Sequence, residues 1–437
     1  MKKFDLSLAL IPFVYFIAGA SSLAGVATTF FYKDELGLSL EQLGILGSIA
    51  IMPWSIKPLY GLISDRVPLR GLRRKPYLIL SGMLGSIGYL SLATWVKDFS
   101  GVLFAETISA LGFALADVIV DGIVAERSKS HAAAGKLQSI CRAAIMFGGL
   151  TVAYASGVLT ESIGARRVFL LTAMLPLLTS LVAVFLHESP ADRVTWNIRD
   201  TWRKFREALT PAILWSALFL FVWRATPSSG GALGYYMIDE LHFDPEFFGR
   251  LSVLSRLMGI IGVLIFRKWL IAIPMKKLLF GIVLASVILS LPTLGLVYRW
   301  YELLGVSPKL FAMADTLISA PLTEIGFLPL LVLVARVCPK GVEATVFAVL
   351  ASIMNIGLAL SDIGGAALVN LFDVHQATET LAANYTHLDK VLWIAILSSF
   401  LPLPLLPLLP ETRTSEELPR DISPSRMASQ SEGKEVV

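Results

Sequence analysis

Apolar residues run along this chain in long blocks, and each block ends at a short cluster of charged residues, Gly or Pro. The blocks fall near residues 8–31, 41–63, 77–96, 101–125, 137–160, 167–187, 212–238, 248–267, 278–298, 310–337, 344–371 and 389–410. A helix rises about 1.5 Å per residue and needs about 20 apolar residues to cross a bilayer. The pattern therefore predicts about twelve membrane-spanning helices. The first block, Leu8 to Phe31, follows Met1-Lys2-Lys3 as a secretory leader would. It outruns the roughly 7–15 apolar residues of a cleaved signal, so we read it as a retained helix.

The longest charged interruption, 188–211, separates six blocks from six. The expected domains are a six-helix bundle over 1–187, a cytoplasmic linker over 188–211, a second six-helix bundle over 212–410, and a disordered cytoplasmic tail over 411–437 rich in Ser, Glu, Arg and Pro. Trp196, Trp202 and Phe205 suit the linker to an amphipathic surface helix. The halves also echo each other. A shift of 205 residues superposes Asp34-Glu35-Leu36, Glu41 and Gly44 on Asp239-Glu240-Leu241, Glu246 and Gly249. A shift of 209 superposes Ala105-Glu106-Thr107 and Arg127 on Ala314-Asp315-Thr316 and Arg336. Two parallel six-helix repeats resemble the major facilitator design, with substrate held between the halves near the midplane. The fold class expected is an all-α membrane protein of that type.

Composition agrees with lipid as the solvent. Of 437 residues, 55% are hydrophobic and 16% charged, against roughly a quarter charged in soluble domains. Of the 37 Lys and Arg, 25 fall in loops on the side of the N-terminus, 8 in the opposite loops, and 4 inside spans. By the positive-inside rule both termini are cytoplasmic, and the plasma membrane is the expected residence. Cys141 and Cys338 form no disulfide framework or metal spacing. No phosphate-binding loop, HExxH, GxSxG or paired CxxC occurs, so we expect no enzyme activity, cofactor, metal or nucleic-acid partner. The expected state is a monomer in the lipid bilayer.

Charges inside the spans carry the candidate chemistry, because ionisable groups at that depth are costly and face a cavity or a partner. Arg224 and Glu324 fall near the middle of the seventh and tenth helices. Arg224 opens a broken stretch ending in Pro227-Ser228-Ser229-Gly230-Gly231, and Tyr235 and Tyr236 follow it. Arg224 is a candidate anchor for a substrate anion; the alternative is a structural pair with Glu324. Asp117 and Asp121 lie one turn apart on one face of the fourth helix, at a depth similar to Lys57 and Arg142. Two close carboxylates repel, so one would hold a proton unless a cation neutralises them. They are therefore either a proton-coupling site or a permanent salt-bridge lock. Glu106 and Asp315, about one turn inside the outer ends of their helices, read as exposed interface residues or, by their symmetry, as a periplasmic gate, and Arg256 could serve either role. Trp54 and Phe113 read as packing or lipid-facing side chains, and Tyr235 is a possible ligand platform.

The loop after the second span, Gly61-Leu62-Ile63-Ser64-Asp65-Arg66 followed by Arg73-Arg74-Lys75, resembles the facilitator signature of that position. There Gly61 would permit close helix approach, while Asp65 would latch the start of the eleventh helix near Gly341 and Glu343. Three further stretches are similar to the folate–biopterin transporter family. They are Pro53-Trp54-Ser55-Ile56-Lys57-Pro58-Leu59-Tyr60-Gly61, Ala116-Asp117-Val118-Ile119-Val120-Asp121-Gly122, and Leu328-Pro329 running on through Arg336-Val337-Cys338-Pro339-Lys340-Gly341-Val342-Glu343. The resemblance spans both halves and implies transport of folates or pterins, coupled to protons, by alternating access. It implies substrate contacts among Arg224, Glu324, Asp117, Asp121, Lys57, Arg142 and Tyr235, and proton coupling through Asp117, Asp121 and Glu324. Gating would fall to Gly61, Asp65, Arg66, Arg127, Arg336, Gly341 and Glu343. Transport of another metabolite such as S-adenosylmethionine, or a scaffold or receptor role without flux, stays open on the residues alone.

Overall fold

The structure, a computed structural model, describes residues 6–127, 131–188, 190, 203, 206, 209–338, 343–378 and 381–410. Among these residues, twelve helical crossings follow one another: α1 (6–35), α2 (40–66), α3 (Lys75–Thr94), α4 (Phe99–Arg127), α5 (His131–Ile163) and α6 (Ala165–Ala183), then α7 (211–239), α8 (245–270), α9 (275–297), α10 (Pro308–Val337), α11 (Glu343–Leu371) and α12 (388–408). Among the described residues, ten helices are long and apolar enough to cross a membrane as they stand. The other two crossings, α2 and α7, are broken in the middle. Odd-numbered helices run from the face that carries the chain ends, here the terminal face, to the far face. The expected surface helix over 188–211 and the tail over 411–437 lie almost entirely outside the described residues.

Proline explains both breaks, since it lacks the backbone donor that closes a helical turn. Pro58 frees the carbonyl of Trp54, which accepts instead from Asn355 Nδ2 of α11 at 2.9 Å. Pro227 frees the carbonyl of Trp223, which accepts from Thr226 Oγ1 at 3.2 Å, and the Thr226 carbonyl accepts from Ser361 Oγ of α11 at 2.6 Å. The freed groups are thus satisfied by protein, as backbone at membrane depth must be.

Helices within each half approach through small residues, the usual solution where lipid offers no hydrophobic drive for association. On α3, Gly82 lies against Pro176 and Ser180 of α6, and Gly85 meets Gly112 of α4. Gly19 and Gly148 let α1 and α5 touch backbone to backbone, and Gly262 lets α8 touch Pro321 of α10. The first-half core gathers around Ile11, Leu78, Ile119, Leu92 and Phe169, and the second-half core around Phe219, Leu220, Leu279 and Leu333.

The halves meet where the internal repeat predicts symmetry. At the α2–α11 crossing, a Cβ on Gly44 would stand 2.6 Å from Ala366 Cβ, and Asn370 Nδ2 donates to Glu41 at 3.3 Å. At the α5–α8 crossing, Gly249 sits against Gly157, and the Tyr154 hydroxyl donates to Glu246 at 2.8 Å. The superposed pairs Glu41/Gly44 and Glu246/Gly249 therefore make equivalent contacts across the two halves. Between the far-face loops, Gln376 Nε2 donates to the Leu38 carbonyl at 2.9 Å.

The signature loop differs from expectation in detail. Asp65 pairs with Arg74 Nη2 at 2.7 Å within its own half, and the Arg74 guanidinium rests on Gly122 of α4. The backbone amides of Arg73, Arg74 and Lys75 all donate to the Glu188 carboxylate, at 2.6, 2.9 and 2.8 Å. Glu188, from the start of the linker, thus supplies the negative charge that a helix N-terminus favours. Gly61 is not forced by packing, because a Cβ there would make ordinary contact with Val118 at 3.5 Å. Arg66 and Arg336 are exposed at the terminal face. Gly341 and the side chains of Arg127 and Glu343 lie outside the description, so a latch on the start of α11 has no described counterpart.

Candidate functional site

Two cavities flank α5, whose neighbouring residues Ile145 and Met146 each line one of them. The first, about 450 Å³, lies inside the first half among α1, α3, α4 and α6. Its wall is mainly apolar and aromatic, with Trp54, Tyr89 and Phe113 on it. Trp54 and Phe113 thus pack inside the half, Trp54 against its core and Phe113 against Tyr89, and both line this cavity. Toward the terminal face, Asp117 accepts from Lys57 Nζ at 2.5 Å, and the Lys57 ammonium stands 4.4 Å from the Trp54 ring centroid. One turn on, Asp121 accepts from the Tyr15 hydroxyl at 2.8 Å. Toward the far face, Glu106 accepts from the Tyr32 hydroxyl at 2.5 Å. Glu106 is therefore an internal group rather than an exposed interface residue. Asp315, its counterpart in the repeat, accepts from Thr293 at 3.0 Å.

The second cavity, about 530 Å³, lies between α8 and α10 and is closed on one side by α5 of the other half. Its wall is polar: Ser252, Ser255, Thr316, Ser319 and Thr323 surround Arg256 and Glu324. Two cross-half contacts bound it. On the terminal side Arg142 Nη2 of α5 meets Glu324 of α10 at 2.8 Å. On the far side Phe30 of α1 stacks edge-on against Phe248 of α8, with centroids 5.6 Å apart.

The sequence-predicted residues thus sort into separate groups. Lys57 and Asp117 come together as their similar depth suggested, but Arg142 reaches across to Glu324 instead of neutralising the aspartates. Glu324 consequently is not the partner of Arg224. The acid facing Arg224 is Asp362 of α11, beyond ion-pair distance, and its carboxylate fills the notch on α2 left by Gly47. Arg224 lines neither cavity; its Nε is buried without a hydrogen-bond partner among the described residues, and the guanidinium lies 5.9 Å from the Phe327 centroid. Tyr235 is fully buried beneath Lys33 rather than exposed to a ligand. Cys141 is buried and Cys338 partly so, and neither is in a disulfide.

The far face carries a lock that sequence reasoning overlooked. Lys33 of α1 meets Asp239 of α7 at 2.5 Å, with the two side chains 8% and 10% exposed. Asp239 also accepts from the Tyr385 hydroxyl at 2.7 Å. Burial and this carboxylate together push the Tyr385 phenol above its ordinary value. Beside the lock, Asp244 caps α8 by accepting from the Phe247 amide at 2.7 Å and pairs with Lys309 of α10 at 2.5 Å. Partial burial pushes the Asp244 carboxyl up, but Lys309 and the Phe247 amide outweigh it and hold the group below its ordinary value. Asp362, Tyr15 and Tyr32 also escaped the sequence reading. For Asp362 the signal was present, as a carboxylate inside an apolar block.

Comparison with known proteins agrees with this architecture. Residues 18–425 match the BT1 family. A folate-biopterin transporter from Synechocystis sp. is 39% identical over 407 residues, covering 91% of this chain and 80% of that protein. Folate transporter 2 of Plasmodium falciparum is 29% identical, covering 95% of this chain and 91% of that one. Among solved structures, a D-xylose-proton symporter superposes with a TM-score of 0.68 at 14% identity, over 93% of this chain and 98% of that one. The nucleoside transporter NupG superposes with a TM-score of 0.65 at 13% identity, over 92% of this chain and 99% of that one. At these identities the structural likeness speaks to the fold alone: it is the major facilitator fold.

Proposed function

Because the chain belongs to the BT1 family, the folate–biopterin transporters of the major facilitator superfamily, we propose that this multi-pass membrane transporter carries folates or pterins by proton-coupled alternating access. It is a transporter and not an enzyme. The observation that carries the substrate reading is the polar cavity between α8, α10 and α5. It is built from both halves, and its volume lies within the roughly 300–1,000 Å³ of small-molecule sites. The names of the relatives favour folate over other metabolites.

The coupling proposal rests on carboxylates that already share a cation or a phenol. Asp117 with Lys57, Asp121 with Tyr15, and Glu324 with Arg142 are each poised to exchange that partner for a proton. Protonating Glu324 would release Arg142 and with it a contact between the halves, which ties proton uptake to opening. Lys57, Arg142 and Glu324 are the proposed polar contacts of the route, and Arg224 with Asp362 a buried support for the broken α7. We place both termini in the cytoplasm, because Lys and Arg concentrate on the terminal face, and the protein in the plasma membrane as a monomer.

Uptake of labelled folate and biopterin into cells lacking their own carriers tests this reading. Accumulation should occur with an inward proton gradient and collapse on addition of a protonophore. Accumulation indifferent to the gradient would remove proton coupling, and uptake of neither compound would remove the substrate assignment.

A further inference from the structure

Among the described residues, two cations of the membrane interior are held in ion pairs and two are not. Lys57 has Asp117, Arg142 has Glu324, and Arg224 faces Asp362. Arg256 of α8 has no carboxylate within ion-pair distance among the described residues. A cation at this depth is expensive unless something answers its charge. Nor is Arg256 turned out toward lipid: it lines the polar cavity, and its guanidinium crosses the boundary between halves to lie on Gly149 of α5. A Cβ on Gly149 would collide with it, so the glycine makes room for the charge.

The wall around Arg256 is equally one-sided. Ser252, Ser255, Ser319 and Thr323 offer hydroxyls that can donate to an acceptor. The acid on that wall, Glu324, is already held by Arg142. An unmatched guanidinium ringed by donors is the complement of a carboxylate, which takes two parallel N–H bonds from Arg and further bonds from hydroxyls.

We propose that Arg256 and this hydroxyl wall form a carboxylate-binding subsite, which receives the glutamate tail of a folate. The assignment of folate rests on the function proposed above; the carboxylate chemistry rests on the cavity itself. The flat pterin then lies outside the subsite, and the subsite separates folates, which carry carboxylates, from biopterin, which carries none. Both halves complete the subsite, since α8 supplies the charge and α5 the surface against which it is held.

Uptake kinetics and ligand binding test the proposal together. Arg256→Gln should raise KM for folate and lower the folate-to-biopterin preference by about tenfold, the scale of one lost charge-assisted interaction. Arg256→Lys should recover part of the loss, and Gly149→Ala, which displaces the guanidinium, should shift the preference in the same direction. Equal losses for folate and biopterin, or an unchanged preference, would overturn the subsite. In a second arm, p-aminobenzoylglutamate should raise the melting temperature of purified wild-type protein and not that of Arg256→Gln. No stabilisation of the wild type would likewise overturn the subsite. Arg256-dependent stabilisation in a protein that moves neither folate nor biopterin would leave the subsite standing and remove the transport substrate.

Discussion

Replacing Glu324 by Gln should loosen the terminal side of the contact between halves, and the structure sets the size of the effect. Arg142 Nη2 and the Glu324 carboxylate are 2.8 Å apart, with the side chains 44% and 21% exposed. Charges about 4 Å apart attract by about 4 kcal/mol at an effective dielectric near 20. Exposed pairs, by contrast, are worth about 0–1 kcal/mol. Half-exposure on one side places this pair at about 1–2 kcal/mol, or about 5- to 30-fold in an equilibrium constant. The assay is alkylation of Ser319→Cys, on the cavity wall, in a background with Cys141 and Cys338 replaced by Ala. Glu324→Gln should speed labelling from the terminal face by about that factor. Arg142→Gln should do the same, and the double variant should be no faster than either alone. If the two single effects simply add, the residues do not act as a pair and the cross-half tie is refuted.

Asp239→Asn should also destabilise, because Lys33 would stay charged and largely buried. Asp34, 3.2 Å from Lys33, remains as a partner, so the loss should fall below the roughly 3–5 kcal/mol of a fully orphaned buried charge. It is read by thermal unfolding, and by faster labelling of cysteines placed at the far face. Glu188→Gln should destabilise by about 1 kcal/mol, the worth of a helix cap, with hydrogen exchange rising at the amides of Arg73, Arg74 and Lys75. Asp244 adds a pH dependence of known sign. Its folded value is depressed, so its contribution is full above the ordinary carboxylate value of about 3.9 and is lost as pH falls through the folded value. Wild type and Asp244→Asn should therefore melt apart at neutral pH and converge in acid; a constant gap would refute the assignment.

The number and order of the helices were legible because the hydrophobic pattern encodes them directly. So were the depths of the buried charges, since a residue's place along a helix converts to height. Depth did not reveal which neighbour a side chain faces. Arg142 lies at a height close to Asp117 and Asp121, and its turn toward α10 follows from the rotation of α5. Tyr15 and Tyr32 were missed because a phenol reads as apolar until its hydroxyl meets a carboxylate. The polar wall was missed for a related reason. Ser and Thr in a helix often bond to their own previous turn, as Thr316 does to the Ala312 carbonyl at 2.9 Å. In sequence they therefore look almost neutral, and only the convergence of α8 and α10 makes them a surface.

The paired glycine crossings have a mechanical consequence. Gly44 on α2 and Gly249 on α8 bring backbone within reach of backbone. Such contacts roll and slide without changing rotamers, so the two crossings work as bearings rather than as clamps, with Glu41 and Glu246 as polar stops beside them. They sit near one end of long levers. From Gly157 to the terminal end of α5 is about 40 Å, so a tilt of roughly 10° at the bearing would carry that end roughly 7 Å. In the proposed cycle, wide opening at the terminal face then requires little movement where the halves touch, and a bulkier residue at either bearing would stall the rocker without touching the ligand.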